Sequence, residues 1–305
     1  MRPPGTTEHR DNTLLAVTAI VLAVLGLSLG DALIKVLSAN FSIWQIFVLR
    51  SVLLVPILVA VLVWRRINIA IHSLGWMTVR SLLLSLMWVC YYLSLPNLDL
   101  SVAAAAYYTA PIFITLFASG LLGEPVGRLG WVAVVLGFSG AFVILQPGAD
   151  SFNVYVLLPL TAAILYALAM ILTRTKCRND HPLTLSLALN VTFIVVGVLA
   201  EGILVLVSPD ETMRSAYPFL LGDWAVMDPR AWLAMAVLAL AVLIGSIGAA
   251  IAYQAGRPST VATFDFSYLV FAAVWGVLFF GEIPDVTATV GIVMILAAGL
   301  LAVRR

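Results

Sequence analysis

Apolar and polar positions along this chain fall into long blocks. Ten predominantly apolar stretches, near residues 14–37, 41–63, 74–95, 99–122, 129–146, 154–173, 184–207, 231–253, 259–281 and 286–303, are separated by short polar joints. A hydrocarbon core of about 30 Å takes roughly 20 residues of helix at about 1.5 Å per residue, and lipid offers no partner to an exposed peptide group. The pattern therefore predicts an all-α membrane protein of ten transmembrane helices. Residues 1–13 form a polar tail, and the first stretch has no small-residue cleavage site, so it is expected to stay as a span.

Composition agrees with that reading. Of 305 residues, 63% are hydrophobic and only 10% charged, which leaves no room for a sizeable soluble domain. The net charge of +1 is uninformative about nucleic acid, because the charges are segregated by joint and make no basic face. Their segregation sets the orientation. One set of joints and tails holds Arg2, Arg10, Arg65, Arg66, Arg128, Arg174, Lys176, Arg178, Arg257, Arg304 and Arg305, the other only Arg214 and Arg230. The bias predicts cytoplasmic termini, with the longest joint, residues 208–230, outside as a plain solvated connector. Cys90 and Cys177 fall at different depths and are expected to be free thiols.

The chain also repeats itself. Residues 101–125, SVAAAAYYTAPIFITLFASGLLGEP, align with 259–284, STVATFDFSYLVFAAVWGVLFFGEIP, at an offset of 158, and 42–50 align with 182–190 at an offset of 140. Two five-span halves follow, residues 14–150 and 151–305. Five is odd, so the second half enters the membrane inverted relative to the first, the layout of many secondary transporters. Glu124 with Pro125 and Glu282 with Pro284 close equivalent spans, and an anion followed by proline suits the N-terminus of the next helix. Capping is their expected role, with proton coupling as the alternative.

Several charges lie where charge is costly. Arg50 is about nine residues into the second span, roughly 14 Å deep, and costs about 2.5 to 3.5 kcal/mol unless paired or hydrated. Asp31 lies at matching depth on the first span, so the two are expected to approach directly or through a polar cavity, with Lys35 as a rival partner for Asp31 at i, i+4. Such a pair either locks the bundle or contacts a substrate. Asp265, in Phe264-Asp265-Phe266, has no cation near it in sequence and is a candidate proton-linked group or contact to a cationic ligand. Asn190, the repeat partner of Arg50, is a candidate interhelical hydrogen-bonding group. Glu201 and Arg80 are placed to snorkel, and Arg80 alternatively lines the inner mouth.

Aromatic residues crowd three spans, among them Trp88, Tyr91, Tyr92, Tyr107, Tyr108, Phe264, Phe266 and Tyr268. Most such residues pack or anchor, and those facing a cavity suit a planar ligand. Gly26 and Gly30 on the first span, and Gly245 and Gly248 on the eighth, permit close helix approach. His9, His72 and His181 all fall in tail or joints, which removes a buried Ser–His pair or a histidine metal cluster. No glycine-rich phosphate loop and no ring of repeated filter residues appears. An enzyme, an ATP-driven pump and a channel are all disfavoured.

The motifs GDALIKVLSANFSIWQIFVLRS (30–51), Arg80, WVCYYLSLPNLDLSVAAAAYYTAPIF (88–113), LLGEP (121–125), AYQAGRPSTVATFDFSYL (252–269) and FFGEIP (279–284) resemble the drug/metabolite transporter superfamily, specifically its EamA-type ten-span members. The resemblance implies a secondary carrier of the bacterial inner membrane working by alternating access, with a central cavity between inverted halves, a small-molecule substrate, the bilayer as surroundings and no bound cofactor. It also allows a homodimer. Members of the family move amino acids, nucleosides, S-adenosylmethionine and riboflavin, inward or outward. Asp31, Lys35 and Arg50 together look most like importers of cofactor-like metabolites, and riboflavin fits the aromatic inventory. The alternatives are an exporter of amino acids or drugs, or a non-transporting scaffold. Phe266 departs from the family, which often has tyrosine there, with Tyr268 two residues on.

Overall fold

In lipid each apolar stretch must satisfy its peptide groups along itself, and every described regular element is helical. The computed structural model describes residues 13–67, 72–122, 127–145, 153–177, 179–255 and 264–303. The helices are α1 (Thr13–Leu37), α2 (Ile43–Trp64), α3 (Leu74–Ser94), α4 (Leu100–Tyr107), α5 (Ala110–Leu122), α6 (Arg128–Leu145), α7 (Leu157–Thr175) and α8 (Pro182–Val207). After them come α9 (Glu211–Ala216), α10 (Pro218–Leu221), α11 (Pro229–Ala255), α12 (Ser267–Trp275) and α13 (Val286–Val303). Seven described helical stretches are long and apolar enough to cross a membrane, the α4–α5 stretch counting as one. Three shorter apolar ones run over Arg128–Val143, Ser267–Phe280 and Val286–Ala298.

Two of the expected spans are interrupted. The fourth breaks at Tyr108 and Thr109, because Pro111 has no N–H to give the carbonyl of Tyr107. In the ninth, a turn at Phe266 precedes α12, and α12 runs into a π-helical turn, Gly276–Phe280. Gly281 then takes the left-handed conformation at φ 68°, which folds the chain back so that Glu282 N–H reaches the carbonyl of Gly276 at 3.1 Å.

Small residues set which helices touch. α1 packs along α11, where a methyl group built on Gly26 would lie 3.1 Å from the carbonyl of Ala241, and one on Gly248 would lie 3.0 Å from that of Ala19. Both glycine pairs singled out in the sequence thus lie in one interface. α2 packs on α8 through Gly197, against the carbonyl of Trp44 at 3.0 Å, and α6 on α13 through Gly140, against that of Gly291 at 2.9 Å. α3 runs along α7, and α4 meets α12.

The 208–230 joint is folded, which corrects the expectation of a plain connector. Residues 211–221 form α9 and α10, Phe219 is 5% exposed, and the joint is fastened to the start of α2. Trp44 Nε1 donates to the carbonyl of Leu220 at 2.9 Å. Gln45, itself 2% exposed, donates through Nε2 to the carbonyl of Ala225 at 2.7 Å and accepts the Ala225 N–H at 3.0 Å. At the opposite end, His72 N–H donates to Asp180 Oδ1 at 2.9 Å, tying the α2–α3 joint to the α7–α8 joint.

Candidate functional site

Arg50 and Asp31 are both buried, at 2% and 5% exposure, and each is held by tyrosine. Arg50 Nη1 donates to the Tyr92 hydroxyl at 3.2 Å, and its guanidinium lies 4.8 Å from the Phe193 ring and 5.6 Å from that of Phe47. Two rings on different helices thus supply the quadrupole that partly replaces water around this cation. Arg50 Nε has no partner among the described residues. Asp31 accepts the Tyr268 hydroxyl, and Tyr268 and Tyr91 hydroxyls are 3.1 Å apart.

The direct Asp31–Arg50 ion pair is therefore not made. Tyr92, on Arg50, and Tyr91, which reaches Asp31 through Tyr268, are consecutive on α3, with ring centres 6.0 Å apart. A tyrosine places a weak donor or acceptor against either charge while its ring fills apolar space, and two neighbours on one helix reach groups on different partners. Tyr268 also answers the departure at Phe266, since a hydroxyl two residues on reaches Asp31.

Lys35 does not serve Asp31 either. It pairs with Glu282 and donates to the carbonyl of Leu98, with its ammonium 5.0 Å from the Phe280 ring. Glu282 in turn accepts the N–H of Leu100 at 2.8 Å, so it caps the first turn of α4 and not the helix that follows it. That duty falls to Asp285, which accepts the N–H of Ala288 at 2.6 Å. A single ionic junction ties α1, the α3–α4 joint and the end of the π turn together. Pro284 lies between that turn and α13, while Glu124 and Pro125 fall outside the described residues.

The other aromatic candidates converge. Trp88 lies 4.9 Å from Tyr92 and 6.1 Å from Tyr91, ring centre to ring centre. Tyr107 is 5.2 Å from Tyr91 and 5.7 Å from Tyr166, and Tyr108 stacks on Tyr268 at 5.1 Å and meets Phe266 at 5.6 Å. Beyond them Asp265 is partly buried, and its carboxylate has no partner among the described residues, as its isolation in sequence implied. Arg80 Nε donates to Thr173 Oγ1 at 2.6 Å, leaving Nη1 unpartnered. Asn190 is 6% exposed, but its Nδ2 donates to the carbonyl of Ser186 on its own helix at 2.9 Å, so the interhelical role is not taken. Phe47, Phe193, Tyr166 and Gln45 were missed; an aromatic in an apolar run carries no sign of which cation it will face.

The result is a polar, hydroxyl-rich interior in an apolar bundle, with no cluster of metal-ligating side chains among the described residues. It offers aromatic faces, hydroxyls and one buried charge of each sign.

A multi-pass, all-helical membrane protein is defined by these features. More particularly, the chain resembles the EamA-like transporters, whose family model matches residues 14–146. It is 27% identical to the pseudopaline exporter of Pseudomonas aeruginosa over 286 residues, 92% of this chain and 93% of that protein. A riboflavin transporter of Rhizobium johnstonii is 32% identical over 209 residues, 67% of this chain and 61% of that one. An S-adenosylmethionine uptake transporter of Rickettsia prowazekii is 24% identical over 230 residues, 73% of this chain and 70% of its own length. A solved crystal structure superposes with a TM-score of 0.62 at 17% identity, covering 96% of this chain and 98% of that one, a likeness of fold alone.

Proposed function

We propose that this protein is a secondary active transporter that carries a small organic metabolite across a bacterial inner membrane by alternating access. The observation that carries the reading is Arg50, a buried cation between Phe47 and Phe193 with one nitrogen unpartnered, whose partner Tyr92 packs against Tyr91, which reaches the Asp31 carboxylate through Tyr268. A charge is costly in a membrane and is kept there where a ligand or ion uses it. Relatives that carry metabolites support the class, while they differ in direction between export and uptake.

Two inverted five-helix halves fit the packing. Exchanging the halves turns the α1–α11 pair into α7–α3, turns α2–α11 into α8–α3, and leaves α2–α8, α4–α12 and α6–α13 unchanged, and all of these pairs occur. The breaks at Tyr108 and Phe266 stand 158 residues apart, the offset of the repeat itself. Interrupted helices at matching places of two halves point to a midplane site, and Tyr108, Phe266 and Tyr268 stack there. On this reading the folded 208–230 joint lies outside and the His72–Asp180 contact on the cytoplasmic side. Asp31, Arg50, Tyr92, Tyr107, Tyr108, Asp265 and Tyr268 face the substrate path.

Import of a cofactor-like planar compound such as riboflavin is the direction and substrate we favour, on the density of tyrosine around the two charges. Growth of riboflavin, S-adenosylmethionine and amino-acid auxotrophs on limiting supplement, with and without this protein, tests it. Failure in all three favours export. Arg50→Ala is expected to abolish transport while membrane insertion stays intact, and transport at the normal rate would remove Arg50 from the site.

A further inference from the structure

Between the end of α1, the end of α3, the start of α7 and the α9–α10 segment lies a cavity of about 750 Å³, lined among others by Lys35, Asn97, Tyr155, Tyr217, Phe219 and Phe280. That volume suits a drug-sized molecule. It is separate from the Arg50 region and nearer the end of the bundle covered by the folded joint.

The lining carries one charge, Lys35, and four aromatic rings. An ammonium has three N–H donors; here one goes to Glu282 and one to the carbonyl of Leu98, and the third has no hydrogen-bond acceptor among the described residues. The surroundings select the acceptor that would take it. Glu282 already neutralises Lys35, and Asp99, one residue before the start of α4, is close enough for its charge to act on both. Two carboxylates around one ammonium leave a net negative charge that repels an anion, so an uncharged oxygen acceptor fits best.

We propose that this cavity is an outer binding site for an uncharged planar heterocycle bearing ring carbonyls. A carbonyl oxygen accepts the third Lys35 N–H and the ring lies among Tyr155, Tyr217, Phe219 and Phe280. The assignment rests on the transporter reading only for calling this side the outside. Since Lys35 also joins α1 to Glu282, the ligand docks directly on that junction, one helical turn along α1 from Asp31.

Riboflavin and lumichrome, which share the flavin-type ring, are the uncharged probes, with riboflavin phosphate as the anionic one. Their fluorescence, quenched by stacking, is read on the purified full chain in nanodiscs. Saturable quenching by both uncharged probes is expected, with binding of the phosphate weaker by about tenfold, as like charge near a site dictates. Lys35→Met should weaken riboflavin binding by about tenfold, the worth of a charge-assisted hydrogen bond, and Lys35→Arg should restore most of it. Tyr217→Ala, on the exposed joint, tests the aromatic wall without touching the junction and should also weaken binding. Arg50→Ala should leave this quenching in place, which separates the cavity from the central site. Asn97→Cys locates it: riboflavin should protect that thiol from an impermeant maleimide. No quenching by either uncharged probe, tighter binding of the phosphate, unchanged binding in Lys35→Met and Tyr217→Ala, or loss in Arg50→Ala alone would each overturn the proposal. A chain that transports yet shows no protection at residue 97 loses the outer site and keeps its function.

Discussion

At the scale of single residues, long-range partners decide which polar group does what, and the sequence points only to the local ones. Lys35 lies one turn from Asp31, yet its partner is Glu282, because α1 delivers it to the end of the π turn while Tyr268 occupies Asp31. Gln45 makes the same point from the other side. It has no charge and no motif to mark it, and it holds the folded joint by two hydrogen bonds to Ala225. Gln45→Ala removes two hydrogen bonds to the half-buried peptide group of Ala225, at about 0.5 to 1.5 kcal/mol each. The joint is expected to loosen first: protease cleavage between residues 208 and 230 should rise markedly while the helices remain resistant, as hydrogen exchange resolved by segment would record. Equal protection in variant and parent would mean that Trp44 and the burial of Phe219 hold the joint unaided.

At the scale of elements, hydropathy is legible where the physics is one-dimensional. The stretches expected at 14–37, 74–95 and 184–207 are Thr13–Leu37, Leu74–Ser94 and Pro182–Val207, since an apolar block in lipid can only be helix. The breaks at Tyr108 and Phe266 leave hydropathy untouched, and only the first carries a sequence signal, Pro111. The repeat alignment contained their positions without marking them. Glycine spacing was informative in a different way: it named both faces of the α1–α11 contact but not that they face each other. Gly248 has the carbonyl of Ala19 and the Cβ of Ala23 within 3.0 Å of where its own Cβ would stand. Gly248→Leu therefore forces α11 away from α1, with overpacking costing about 1 to 3 kcal/mol. Gly202→Leu, at a glycine with open space around it, is the matched control. Thermal unfolding in detergent should fall for the first and hold for the second, and equal midpoints would show that the helices part without penalty.

At the scale of the whole molecule, the strongest helix packing crosses between the two stretches 14–150 and 151–305. α1 lies on α11, α2 on α8, α3 on α7 and α6 on α13, whereas α1, α2 and α3 meet one another only sparingly. In lipid no hydrophobic force gathers helices, so a stretch keeps its shape through the close contacts its own helices make. Those contacts are mostly with the other stretch. Arg50 illustrates the consequence, since α2 and α3 supply Phe47 and Tyr92, but Phe193 comes from α8. Neither stretch alone can cover that cation. Expressed separately with a cut near residue 150, each is expected to insert and then be degraded or aggregate. Co-expressed, the two should recover as one species of the full-length size, with Arg50 again shielded. A first stretch that accumulates alone as a monodisperse species would mean that its own contacts suffice, and the two-half account of the polar interior would fail with it. Recovery only on co-expression ties stability to the surface between the two stretches, so that on the proposed alternating access any motion parting them works against the same packing that holds the protein together.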